Sequence, residues 1–254
     1  MKILIVKIIR ARFCWLAPLL LLLLSTRPSL AQSLTLDMGD GGSSTGHIVQ
    51  LVMLLTVLSL APAILITVTS FTRIVVVLSF LRNALGTQST PPNIVMVSLA
   101  LFLTGFVMAP TLTRSYDDGI APLIADQITQ QQAFDLTAAP IHEFMMNHVR
   151  EEDLDLFAGM AKVDTKTVAA KDVPLRVVVP AFMISELRRA FEIGFLLFLP
   201  FLIIDIVVAS ILMSMGMMML PPVTISLPFK LIFFVLVDGW YLVAGSLVQS
   251  FGGN

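Results

Sequence analysis

The sequence predicts an all-α integral membrane protein with about four long hydrophobic helices, paired as two helical hairpins around a small helical insert. Three observations predict it. Hydrophobic residues make up 57% of the 254 and charged residues only 13%, a balance typical of membrane proteins. Apolar runs long enough to cross a bilayer recur along the chain. The charge is also segregated, with 13 of the 17 acidic and 8 of the 16 basic residues lying between Thr113 and Glu192. A net charge of -1 supplies no field that would gather polyanions, so nucleic acid is not an expected partner.

Taken in order, residues 1–31 read as a cleaved export signal. Lys2, Lys7, Arg10 and Arg12 give a basic start, Phe13 to Leu24 an apolar core, and Ser29-Leu30-Ala31 a small-residue cleavage site, so the mature chain is expected to begin at Gln32. Cys14, the sole cysteine, falls inside that signal, which leaves the mature chain without a thiol. Residues 32–47 form a polar, glycine-rich leader. The first hydrophobic hairpin spans 48–112. Its first arm, Ile48 to Leu85 with Gly86 as C-cap, would be about 57 Å long as one helix, well beyond the roughly 30 Å of bilayer hydrocarbon. It must therefore project from the membrane or break, near Pro62 or near Ser70 to Arg73. The link TQSTPPN (Thr87 to Asn93) leads to a second arm, Ile94 to Leu112.

The charged insert, 113–192, carries apolar residues at helical spacing in short pieces: Ile120, Leu123, Ile124 and Ile128, then Ile141, Phe144, Met145 and Val149, then Phe182, Leu187 and Phe191. Three or four small amphipathic helices are expected. The second hydrophobic hairpin, 193–254, has arms Ile193 to Leu220 and Thr224 to Phe251, turning at Pro221-Pro222. With the signal removed, the insert and the C-terminus are expected outside. The first link, carrying Arg73 and Arg82, would then be inside.

Few residues suggest chemistry. His142 and His148 are six apart, about 240° round a helix, and do not fit the zincin spacing; no phosphate-binding glycine motif occurs. Catalytic, cofactor-binding and metal-binding residues are not expected, and no cofactor is. Ionisable groups inside spans are a functional hypothesis by default. Asp205 and Asp238 lie 16 and 17 residues either side of Pro221, at one depth in a straight hairpin. Facing each other, they would suit a proton- or ion-coupled solute transporter; structural contacts between helices or subunits are the plainer reading. Lys230, about 12 Å from Asp238 along the same helix, is expected to snorkel to the interface. Glu186 with Arg189, and Arg188 with Glu192, are spaced as intrahelical pairs. The stretch MSMGMMMLPP (Met213 to Pro222) places five methionines in seven residues. They do not share one helical face, and on a loop beside Gly216 such adaptable thioethers could close around whatever passes.

Three blocks carry a family resemblance. PAFMISELRRAFEIGF (Pro180 to Phe195) and FLPFLIIDIVVASILMSMGMMMLPP (Phe198 to Pro222) closely resemble the two signatures of the FliP family of flagellar export-gate proteins, to which injectisome counterparts also belong. TSFTRIVVVLSFLRNALGTQSTPPN (Thr69 to Asn93) is similar to its N-terminal block. The resemblance covers about residues 48–251. It implies a non-enzymatic core subunit of the flagellar type III protein export gate at the basal body in the inner membrane, with the insert and C-terminus periplasmic. It further implies several copies of the chain, five in the family picture, arranged helically with the sister proteins FliQ and FliR. Other export-apparatus proteins, exported flagellar proteins and the lipid bilayer would be further partners. In that picture Met217, Met218 and Met219 form a gasket with Gly216 permitting the loop, while Glu186, Arg188 and Arg189 serve subunit assembly.

Overall fold

A computed structural model describes residues 44–252, except 88, 164–168 and 218–219. The signal segment with its cysteine, and the leader as far as residue 43, lie outside the described residues. The chain divides into two compact units, residues 1–58 and 59–254. In the first unit, the described residues belong to helix α1 (Ser44–Val68) and expose Leu51, Met53 and Leu55.

In the second unit α1 ends at Val68 and α2 (Phe71–Leu85) begins three residues later. The overlong arm thus breaks at the second of the two places the sequence offered, while Pro62 is accommodated inside α1. Threonines account for the break. Thr69 Oγ1 donates to the Leu65 carbonyl (2.6 Å) and Thr72 Oγ1 to that of Ile66 (3.0 Å), so hydroxyls satisfy carbonyls that a helix end leaves open. Gly86 closes α2 in the left-handed region at φ 76°, its N–H bonding the Asn83 carbonyl, a conformation that glycine adopts without a Cβ penalty.

Helix α2 is buried as the tail of a lipid-facing span would not be. Phe71, Ile74, Val77, Leu78, Leu81, Ala84 and Leu85 all enter one core with Met96 and Ala100 of α3 (Asn93–Ser115). Ala190 and Phe201 of α7 (Leu175–Ser214) complete it together with Phe234, Val243 and Leu247 from the C-terminal segment. Beyond α3 a π-helical turn (Tyr116–Ile120) and the short α4 (Ala121–Ile124) lead into the insert. There, α5 (Gln130–His148) opens with a capping box in which Thr129 and Gln132 exchange side-chain bonds. Helix α6 (Glu151–Ala161) places Glu151, Glu152 and Asp153 in its first turn, where acids favour the helix dipole. The insert core joins Phe144, Met145 and Ala158 to Met108 of α3 and to Val177, Val178 and Phe182 of α7. Phe144, Met145 and Phe182 face inward as their spacing predicts, whereas Ile124 and Phe191 are exposed.

The 40-residue α7 is about 60 Å long. It runs unbroken through residue 192, so the boundary between insert and second hairpin is one of composition and not of secondary structure. The returning arm is two helices, α8 (Pro222–Leu236) and α9 (Gly239–Gln249), bent by 63°. Among the described residues, three helices are long and apolar enough to cross a membrane, and the bent pair makes a fourth if it counts as one span. The fold is that of an all-helical integral membrane protein.

Candidate functional site

The apolar stretches hold few charges, and the structure gathers most of them into two buried nodes. The first joins α2, α7 and the C-terminal tail. Arg73 and Glu186 form a two-pronged ion pair at 1% and 0% side-chain exposure, Nε donating to Oε2 at 2.8 Å and Nη2 to Oε1. Arg73 Nη1 donates to the Ser250 carbonyl (3.1 Å) and to Ser250 Oγ (3.0 Å), and its guanidinium carbon lies 3.7 Å over the Phe251 ring. Four N–H bonds along the edge of the guanidinium and a ring over one of its faces are thus in place, as its fixed fork geometry allows. Phe251 also stacks on Phe144, while His148 packs against both rings and approaches the Phe144 carbonyl with Nδ1 (2.7 Å). The tail thereby clasps insert and apolar bundle together.

This node corrects two expectations. Arg73 does not sit in a cytoplasmic link beside Arg82, because the break at Thr69 lets α2 carry it into the core. Glu186 is not paired with Arg189 along its own helix; its carboxylate is spent on Arg73. Arg188 does pair with Glu192 as spaced (3.2 Å) and lies 3.7 Å from Glu152, with all three exposed, a setting in which such pairs contribute about 0.2–1 kcal/mol. Arg189 is half-buried. One turn of α7 before Arg189, Ser185 Oγ bonds Asp153 (2.7 Å) and accepts the Arg150 N–H (3.0 Å), tying α6 to α7. His142 lies 2.8 Å from the Val173 carbonyl. Both histidines that raised the metal question therefore meet backbone carbonyls.

The second node joins α7, α8 and the end of α2. Lys230 is 3% exposed; its Nζ lies 2.6 Å from Asp205 Oδ2 and donates to the Ala84 carbonyl at 3.0 Å. Ser226 Oγ donates to the other oxygen of Asp205. Lys230 therefore does not snorkel, and it caps a carbonyl in the last turn of α2. Nor does Asp238 meet Asp205. Helix α7 ends at Ser214 and α8 begins at Pro222, which sets Asp205, nine residues before the end of α7, level with Lys230, eight residues into α8. Asp238 instead occupies the corner between α8 and α9, exposed, at φ 51°. The carboxylate dyad on which the transporter alternative depends is not formed.

The methionine turn begins as a helix stop. Gly216 has φ 74°; its N–H bonds the Met213 carbonyl (3.1 Å) and that of Met217 reaches back to Leu212 (3.0 Å). This 5→2 and 6→1 pair is a Schellman motif with glycine at its left-handed position. Met213, Met215 and Met217 are exposed, so thioethers surround the end of α7 on several sides. Met218 and Met219 lie outside the described residues.

Sequence reasoning missed Arg73, Ser226 and Ser250. The signal available for Arg73 was its position in an otherwise apolar helix, but its partners are 113 and 177 residues away, beyond any local spacing rule.

The site is that of an all-helical membrane protein that commits most charges of its apolar stretches to internal ion pairs and caps its longest helix with a glycine beside exposed methionines. The chain belongs to the FliP family, whose model matches residues 54–247. It is similar to the flagellar biosynthetic protein FliP of Caulobacter vibrioides, 62% identical over 224 residues, 88% of this chain and 84% of that protein. The Bacillus subtilis FliP is 60% identical over 203 residues, 80% of this chain and 91% of that one. That of Aquifex aeolicus is 47% identical over 234 residues, 92% and 98% of the respective chains.

Proposed function

We propose that the chain is a core, non-enzymatic subunit of the flagellar type III protein export gate, one of several copies around a conduit in the inner membrane, with FliQ and FliR as sister subunits. The observation that carries the reading is FliP-family membership across 194 residues, 54–247, shared with relatives named for flagellar biosynthesis. The exposed apolar surfaces of α3 and α7, where Phe102, Phe106, Phe195 and Leu196 face outward, supply area for lipid and for neighbouring subunits. The insert and the C-terminus are assigned to the periplasmic side. Arg188 and Arg189 are placed at subunit contacts; Glu186 contributes to assembly through Arg73, by fixing the shape of each subunit.

In this reading Met217, Met218 and Met219 of each copy meet across the conduit and close it at rest. Unbranched thioether chains with three rotatable bonds can fit one another closely and yield to a passing polypeptide. The test replaces all three by alanine. The helices that build the assembly are untouched, so chain level and complex size should stay normal while membrane conductance to small ions rises. Normal complexes with unchanged conductance would rule out the gasket. The membership of the complex is tested separately by co-expression with the two sister proteins and native mass spectrometry: a discrete particle holding several copies of this chain plus both sisters is expected, and a bare monomer overturns the gate reading.

A further inference from the structure

Five charged side chains occur in the described parts of the apolar stretches 59–112 and 193–252: Arg73, Arg82, Asp205, Lys230 and Asp238. Arg73, Asp205 and Lys230 are held in the two nodes, and Arg82 donates to Asn93 and to the Pro91 carbonyl. Asp238 alone has neither ion pair nor side-chain hydrogen bond. Its backbone is satisfied, the N–H bonding Val235 and the carbonyl accepting from Leu242, both at 3.1 Å. Although it precedes α9, its side chain makes no capping bond. Around it the surface is apolar, with Val235, Leu236 and Tyr241 exposed by 76%, 79% and 74%.

The fold does not need a carboxylate there. The left-handed corner suits glycine or asparagine as well as aspartate, and a negative charge at a helix N-terminus is only weakly favoured. Asp238 lies inside the bent α8–α9 pair, which together is apolar enough to cross a membrane, and a carboxylate within a span costs more than the helix dipole returns. A cation delivered from outside the chain offsets that cost.

We propose that the α8–α9 corner docks a membrane helix of a different protein, whose lysine or arginine pairs with Asp238 while its apolar residues cover Val235, Leu236 and Tyr241. A second copy of this chain fits less well. Of its bases in the apolar stretches, Arg73 and Lys230 are ion-paired within the chain and Arg82 is half-buried against Asn93 and the Pro91 carbonyl, and the other described bases lie in the charged insert. The inference does not rest on the export-gate reading, since it asks only for a partner of this chemistry.

The test places a benzophenone amino acid at Tyr241, one turn beyond Asp238, in the full chain within native membranes, and maps the photo-adduct by peptide mass spectrometry. The expected adduct is an apolar segment of another protein that contains Lys or Arg. Its yield should fall about tenfold or more in Asp238→Asn, the change that roughly 1.4 kcal/mol produces, and persist in Asp238→Glu. Asparagine keeps the left-handed corner, so the chain is expected at normal level. Should that level drop, charge exchange decides: Asp238→Lys with aspartate at the mapped basic position restores the adduct only if the pair exists. Adducts to another copy of this chain, adducts to lipid alone, or a yield unchanged in Asp238→Asn overturn the proposal.

Discussion

Arg73 shows how much one side chain can organise. A guanidinium buried in an apolar core is strongly unfavourable alone and tolerable only with a complete set of partners. Glu186, Ser250 and the Phe251 ring supply that set. Removing one side of a buried pair typically costs about 3–5 kcal/mol, whereas replacing both by apolar residues of similar size is often nearly neutral. Arg73→Met and Glu186→Leu should therefore each lower the detergent thermal midpoint and the steady-state level sharply, and the double variant should recover most of the loss. Arg73→Lys should resemble Arg73→Met more than the parent, because an ammonium cannot grip both carboxylate oxygens and Ser250 from one plane. Additive losses in this double-mutant cycle would remove the pair from its assigned role.

At the scale of elements, the end of α7 is set by one residue. The Schellman motif requires a left-handed conformation at Gly216, which costs an L-residue roughly 1–2 kcal/mol and a β-branched one more. Gly216→Asn should keep the turn, since asparagine is the usual alternative there. Gly216→Val should fray or extend the last turn of α7, read as altered hydrogen exchange at Leu212 to Met217. Equal protection in both variants would mean that the methionine turn is positioned by something other than its cap. Much of this scale was legible beforehand. Gly86 announced a real stop and Pro221-Pro222 the real start of α8, although α7 ends at Ser214, short of the expected Leu220, and the hydrophobic runs gave the helices. The break at Thr69 was legible only as one of two options, because it comes from hydroxyls bonding carbonyls four and six residues back and not from proline. The Asp205–Lys230 pair was hidden by a hinge drawn at two prolines when α7 already ends at Ser214, a slip that changes which residues lie level. Asp238, a membrane acid by sequence, kept its interest but lost its supposed partner.

At the scale of the whole molecule, the C-terminal tail is a keystone between the insert and the bundle. Ser250 bonds Arg73, while Phe251 lies against Phe144 and His148 of α5. Ending the chain after Gln249 removes these contacts yet leaves every helix intact. The insert should then loosen: limited proteolysis between residues 130 and 161 should quicken by about tenfold, the effect of roughly 1.4 kcal/mol on the open population. An unchanged cleavage rate would show that the insert core around Phe182 stands without the tail. Long-range closure of this kind explains why composition revealed the class of the molecule and not its centre. Helix α2 reads as the end of a span but acts as the core.

The same ion pair imposes a schedule on synthesis. Arg73 is made early, Glu186 follows 113 residues later, and Ser250 only after 177. Until Glu186 is made the nascent chain carries an unneutralised guanidinium in an apolar helix, so α2 cannot settle among its neighbours before α7 has begun to form. A chain stalled or cut short before residue 186 displays an uncompensated guanidinium in an apolar helix, the sort of defect by which a quality-control protease can tell an unfinished subunit from one ready to be assembled.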